Sequence, residues 1–438
     1  MSRTSKLVLY TALASVFVVA ASIGRVASGS SDYLMVYTLM RPFVFLTSVS
    51  LLVLGVAFLI NKRLFSTIPL LSLGVLYFSF LAALMPESAH GNWLSGAVVA
   101  GVLGAILVAL KNVEPLEIAK KSMLFFGAML IPFIHPVAGL LLQSSPPIIS
   151  KDFKQYVETL SPEQVDQSKL PDVIYIVPDR YASKSTLKDV YGVANDNFYA
   201  ELQRRGFSVQ PNANANYPTT AHSLSSTHNS GYLEAFAKTY GRQSSSLQPL
   251  YSSIEDNLAQ RAMRKLGYDF INAGSWWDGS RFNRMADANY GTYLEDGFSR
   301  ILISEVEAII AGNTPLPILL DLRDVFFGPV ECQRIKRKLN WLGQVGNRDK
   351  PVFVLAHMTI PHMPIVADGD GNCFPKAKAM YPSPGEPFSE LKSAYAEYLR
   401  YFNNAVLDIF DHQKQRRENG GRELVFVVQS DEGPYPKQ

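Results

Sequence analysis

From Met1 to about Leu142 the chain is mostly apolar, and its polar positions gather in short breaks between long apolar stretches. A helix needs roughly 20 mostly apolar residues to cross a bilayer. Five stretches are long enough: Leu7 to Ile23, Arg41 to Ile60, Ile68 to Met85, Trp93 to Leu110, and Ser122 to Leu142. None has a charge at its centre. Lys and Arg collect in cytoplasmic connections, and Arg3, Lys6, Lys62, Arg63, Lys111, Lys120 and Lys121 fall on one side against Arg25 and Arg41 on the other. The N-terminus is therefore expected in the cytoplasm, and everything after Leu142 outside. The basic start and the small residues Ala20, Ala21 and Ser22 also suit a cleaved signal peptide; later helices would still export the rest.

The pattern changes in SSPPIISKDFKQYVETLSPEQVDQSKLPD, a proline-flanked stretch with a short helical pattern around Phe153 to Leu160. It is expected to be a linker over residues 144–170, between a membrane domain of residues 1–143 and a soluble domain of residues 171–438. VIYIV (Val173 to Val177) has the unbroken apolar character of a strand covered on both faces, and it ends at Asp179. A helix is expected from Asn195 to Arg205, closed by Gly206. Another runs to Lys265, stops at Gly267, and leads into a strand from Tyr268 to Asn272. PVFVLAHM is a further strand, and a long helix from Glu390 to Arg416 leads into LVFVVQ. Strands alternating with helices predict an α/β domain with a mostly parallel sheet between helices.

Charge changes this picture little. The chain to Leu142 has nine basic and four acidic residues, leaving 32 and 34 for the remainder, with no basic run of the kind that binds nucleic acid. The two cysteines, Cys332 and Cys373, lie in the exported part, where a disulfide is permitted. Their spacing is not that of a zinc site, and pairing or free thiols both remain open.

The acids are more informative. Asp179 ends one buried strand, and Asp431 with Glu432 ends another. Parallel strands open such ends on one edge, where α/β proteins hold ligands. Carboxylates that close need a cation to stay ionised together. Between these strands lies NANANYPTTAHSLSSTHNSGYL (Asn212 to Leu233), rich in hydroxyls, with Thr219 or Thr220 placed to start a helix.

Taken in order, DVIYIVPDRYAS, NYPTTAHSLSS, HMTIPHMP and VVQSDEGP resemble the sulfatase-like branch of the alkaline phosphatase superfamily, over roughly Pro171 to Gln438. Five spans ahead of an exported domain also look like lipoteichoic acid synthases and related membrane phosphotransferases. The resemblance implies an enzyme with one or two divalent metals beside a hydroxyl nucleophile. Asp179 would be the first metal ligand and Thr220, four residues after Asn216, the nucleophile and a ligand. Asp431 and Glu432 would complete the metal site, and His362 would contact the substrate or leaving group, with His357 assisting or replacing it. Neither cysteine sits in the C/S-x-P-x-R motif from which true sulfatases make formylglycine. Glu432 stands where most relatives have histidine, so the donor set is all oxygen, favouring Mn²⁺ or Mg²⁺ with Ca²⁺ or Zn²⁺ as alternatives. The domain is expected to be cut short at Gln438 relative to that family.

A polytopic base suggests a lipid substrate at the outer leaflet of the plasma (inner) membrane. The leading expectation is transfer of a phosphoglycerol or phosphoethanolamine headgroup from a phospholipid donor to an envelope glycan, lipid or polymer acceptor. The alternatives are a phosphodiester or sulfuric ester hydrolase, and an inactive or truncated binding module. Trp276 and Trp277 suit a pocket wall or a buried core, Arg281 and Arg284 a phosphate or a solvated face, and His135 a contact between helices.

Overall fold

The structure is a computed structural model that describes residues 1–29, 36–77, 93–134, 138, 146–290, 305–314, 329–346, 348–378 and 388–434. The chain divides into two units, one of residues 1–144 with 303–322 and one of residues 145–302 with 323–438. The excursion of residues 303–322 into the first unit is not apparent in the hydropathy pattern.

The first unit contains the helices Arg3–Gly29, Val36–Ile60, Lys62–Leu76, Trp93–Ala109 and Pro115–Met129, each overlapping one expected span. Two of them, over Arg3–Ala27 and Leu39–Ile60, are long and apolar enough to cross a membrane. The described parts of the other three run to 15, 17 and 15 residues, below a full crossing. The far ends of the third and fifth stretches, and His135, lie outside the described residues. Apolar side chains face outward, with Leu59 85% and Leu52 70% exposed, as lipid rather than water would permit. Where helices meet, small residues allow close approach: a Cβ at Gly74 would lie 2.6 Å from Leu103. Arg63 donates from Nη1 to the carbonyls of Leu110 (2.6 Å) and Val113 (2.9 Å), closing the end of the Trp93–Ala109 helix. The helix Glu305–Gly312 packs Ile309 and Ile310 against Val19, Ile23 and Leu39, and Glu307 pairs with Arg41 at 3.0 Å.

The second unit is built on a parallel sheet. Its strands are β1 (Asp172–Pro178), β2 (Asp269–Ala273), β3 (Ala288–Tyr290), β4 (Val352–Met358) and β7 (Leu424–Val428), in the order β3-β2-β4-β1-β7. A two-stranded antiparallel hairpin, β5 (Ile365–Ala367) with β6 (Cys373–Lys378), stands apart from it. Alternate residues of each strand face opposite sides, so both faces are covered. Ile174, Ile176, Val354 and Ala356 pack against Tyr395, Tyr398, Leu399, Phe402 and Val406 of the helix Phe388–Glu418, whose spacing makes one helical stripe. On the other face Val177, Phe353, Leu355 and Phe270 meet Leu224 and Ile254. Buried Asp172 ties the entry of the sheet together, accepting from the Val352 amide at 3.0 Å and pairing with Arg416 at 2.9 Å.

Residues 146–170 belong to this unit. Their helix Lys151–Thr159 is capped by Ser150, and Gln167 donates to the Leu266 carbonyl at 2.8 Å. Gly267 takes φ +96°, a conformation that residues with a Cβ rarely adopt, and a Cβ there would also displace the Gln167 amide. Cys332 and Cys373 form a disulfide, clipping the helix Pro329–Leu342 to β6.

Candidate metal centre

Three neighbouring strands, β4, β1 and β7, deliver the site. β1 pairs Val177 with His357 of β4, and Ile176 with Val428 of β7. Because all three run parallel, their C-terminal ends open on one edge, carrying His357, Asp179 and Asp431. Ligand atoms of these three residues lie within 4.8 Å of one another, and all three side chains are buried.

What each atom does decides its chemistry. Asp431 Oδ1 accepts from the amides of Glu432 (2.7 Å) and Arg180 (3.2 Å), while Oδ2 has no hydrogen-bond partner. Asp179 Oδ1 and His357 Nε2 are likewise buried without a partner. Buried polar atoms are rarely left so. His357 Nδ1 lies 2.7 Å from Ser280 Oγ and 3.2 Å from Ser275 Oγ. Donation through Nδ1–H leaves the Nε2 lone pair turned toward Asp179, whose Oδ2 is 3.7 Å away. Two carboxylates and an imidazole with one free donor atom each fit a divalent cation.

Electrostatics agrees. Burial, then the charges of Asp431 and Glu432, push the Asp179 carboxyl well above the usual range. Burial raises Asp431 to about 6, while backbone donors and the Thr220 hydroxyl beside it favour its ionised form. Burial and nearby Lys338 hold the His357 imidazole neutral. Without a cation these carboxylates repel; with one, ionised acids and a neutral imidazole are the states a metal requires.

Thr219 is the N-cap and Thr220 the first residue of the helix Thr220–His228. That places the Thr220 side chain at Asp431 and the helix amides behind it, while Thr219 Oγ1 lies 2.6 Å from His222 Nδ1. Ser223 donates to the Asp431 carbonyl, binding this helix to the β7 loop.

Glu432, expected beside Asp431 as a ligand, is buried but directed to Arg180, with Oε1 3.2 Å from Nε. It is not among the three clustered residues; His357 is. His362 is 7% exposed, and its Nδ1 faces the Met363 carbonyl. A carbonyl only accepts, so Nδ1 carries the proton and Nε2 is an acceptor. Burial and then Arg180 lower its pKa to about 3. Trp276 stands edge-on to His362 and Trp277 to His357, at 6.1 and 5.6 Å between ring centres. Arg284 pairs with Glu255 and Arg281 with Asp278.

Sequence reasoning passed over Arg180 and Lys338. Lys338 is 2% exposed and donates Nζ to the carbonyls of Gly274, Ala273 (3.4 Å) and His357 (2.9 Å), fixing the ends of β2 and β4 together. The signal for Arg180 was its place directly after a strand-end acid; Lys338 left none in an ordinary charged helix. Gly274 allows the turn that brings Ser275 and Ser280 to His357, for a Cβ there would lie 2.1 Å from the Ser280 carbonyl oxygen.

No family model and no curated protein matches the chain. Among solved structures it is similar to the integral membrane protein lipooligosaccharide phosphoethanolamine transferase A from Neisseria meningitidis. The two are 13% identical, with a TM-score of 0.36, over 98% of this chain and 83% of that one.

Proposed function

We propose that the protein is a metal-dependent, membrane-bound transferase of the sulfatase-like kind. It moves a phosphoryl-linked headgroup, of phosphoglycerol or phosphoethanolamine type, from a phospholipid to an envelope glycan, lipid or polymer. The observation that carries this reading is the convergence of Asp179, His357 and Asp431, each with a buried donor atom left unpartnered, on one sheet edge with a helix-opening threonine beside them. The lipid substrate class rests on the apolar helices of the first unit. Five crossings, a cytoplasmic N-terminus and an extracytoplasmic second unit are part of the proposal, and the Cys332–Cys373 disulfide suits an oxidising compartment.

Asp179, Asp431 and His357 would hold the cation. When bound, it lowers the pKa of a neighbouring hydroxyl and offsets charge growing on phosphoryl oxygens. The imidazole donor suits Mn²⁺ or Zn²⁺ better than an all-oxygen set would. Thr220 attacks phosphorus from the helix N-terminus, the diacylglycerol oxygen leaves with a proton, and the headgroup stays on Thr220 as a phosphodiester. An acceptor hydroxyl then attacks the same phosphorus and releases Thr220. His362, with Nε2 as acceptor, would orient that hydroxyl by accepting its hydrogen bond, and the hydroxyl's proton passes to the departing Thr220 oxygen.

The test is the intact mass of the full-length protein in lipid with Mn²⁺ and mixed phospholipids. A headgroup adduct on the wild type, absent from Thr220→Ala, with diacylglycerol released, is expected. Diacylglycerol released without acceptor product would assign a hydrolase. No adduct, no diacylglycerol and no bound metal would end the enzymatic reading.

A further inference from the structure

Lys338 lies in the second half of the helix Pro329–Leu342, 2% exposed, and among the described residues it forms no ion pair. The carboxylate on the same helix, Glu331, goes instead to Arg334 at 2.9 Å and to the Thr359 hydroxyl at 3.0 Å. A buried charge is costly unless its hydrogen bonds are met. We propose that Lys338 is a positioning residue for the metal centre, whose ammonium group sets both the main chain and the ring orientation of His357. This inference rests on the metal-site reading above and deepens it.

The geometry accounts for every donor. An ammonium has three N–H groups and no acceptor. Lys338 Nζ donates to three carbonyls: that of Gly274, that of Ala273 at 3.4 Å and that of His357 at 2.9 Å. Strand pairing explains why a side chain is needed here. β2 and β4 pair in register as far as Ala273 with Ala356, one residue short of His357. Lys338 takes over where the ladder stops. It keeps the His357 main chain tied to the end of β2, while on the other side His357 pairs with Val177 of β1.

The same ammonium reaches the imidazole by a second route. Gly274 opens the turn that carries Ser275 and Ser280, whose hydroxyls lie 3.2 and 2.7 Å from His357 Nδ1. Asn272 Nδ2 donates to the Ser280 carbonyl at 3.1 Å, bracing this turn from β2. Fixing the Gly274 carbonyl therefore fixes the hydroxyls that hold Nδ1, and Nε2 is left facing Asp179. Outer partners of this kind set the tautomer and direction of a metal-binding imidazole. Methionine in place of Lys338 has a similar length and would fill the space, but it offers the three carbonyls no donor. The carboxylates depend on other contacts, Asp431 being held by the amides of Glu432 and Arg180. Losing Lys338 should therefore cost the site its nitrogen donor and spare its oxygens.

Metal choice reads that difference, because imidazole favours Zn²⁺ whereas carboxylates alone suit Mg²⁺. The two metals are titrated separately, by calorimetry, into the full-length protein in lipid nanodiscs. Lys338→Met should bind Zn²⁺ about tenfold more weakly or worse, with Mg²⁺ little changed. His357→Ala should give the same pattern, and adding Lys338→Met to it should weaken Zn²⁺ no further. Ser275→Ala with Ser280→Ala, which leaves the lysine in place, should reproduce the Zn²⁺ loss. Where Lys338→Met does not fold, Lys338→Gln keeps two N–H donors without the charge and is judged by the same outcomes. Wild-type Zn²⁺ affinity in the lysine variant or in the double serine variant, an equal loss of both metals, or a further loss in the His357→Ala background would overturn the assignment while the metal centre survives. A wild type that binds neither metal, or a His357→Ala variant that binds Zn²⁺ as the wild type does, would remove the metal-site reading itself.

Discussion

Asp431 is 2% exposed, and burial pushes its carboxyl up to about 6 from an ordinary value near 3.8. An acid whose folded pKa is raised stabilises the fold below its unfolded pKa and loses that contribution as pH rises through the folded one. The metal-free protein should therefore have a higher melting temperature at pH 5 than at pH 7, Asp179 acting in the same direction. A bound divalent cation keeps both carboxylates ionised and should remove the trend. Asp431→Asn should abolish metal binding and transfer together, keep the fold, and flatten the pH dependence of the metal-free form. Thermal melts with chelator and with Mn²⁺, beside metal analysis, test all three; retained metal affinity in the variant would count against the assignment.

At the scale of elements, the helix Pro329–Leu342 supports the site from beneath. Glu331, Arg334 and Lys338 are all buried on it, spaced to share one face. Arg334 and Glu331 pair at 2.9 Å, Thr359 donates to Glu331 at 3.0 Å, and Lys338 joins the ends of β2 and β4. The disulfide anchors the same helix to β6 across a separation of 41 residues. Loop-closure entropy for that length corresponds to about 4 kcal/mol. Replacing both cysteines with serine should destabilise the second unit by about that amount, read by denaturant unfolding of the full chain. Metal affinity should fall with it if this helix positions His357; an unchanged affinity would separate the two roles.

For the whole molecule, the expected topology is open to a direct check. Thiol-reactive and reporter labels at residue 2 should be reached only from the cytoplasm, and labels at residue 419, beside the turn before β7, only from outside. Cys332 and Cys373 should be recovered oxidised from cells. A residue-419 label found on the cytoplasmic side would overturn the orientation and with it the outer-leaflet donor. Charge asymmetry across the breaks made this expectation legible, because each Lys or Arg near a helix end biases insertion independently of tertiary structure.

Local pattern by itself determined a good deal. Apolar runs marked the helices of the first unit, glycines at 206 and 267 marked helix ends, and VIYIV and VFVLAHM stand as β1 and β4. These features follow from neighbours along the chain. Residues 303–322 were not legible, because a helix of eight residues carries too little periodicity to show which unit it joins. Asp179 and Asp431 were legible as a pair from strand ends alone. The choice of His357 over Glu432 as their partner was not, since it depends on which strands are neighbours and how they register. Parallel pairing sets β4 and β7 on either side of β1, putting a histidine from one and an aspartate from the other beside Asp179. The turn at Arg180 then gives Glu432 a different partner. Sequence supplied the groups; long-range register decided which of them share a space small enough for one cation.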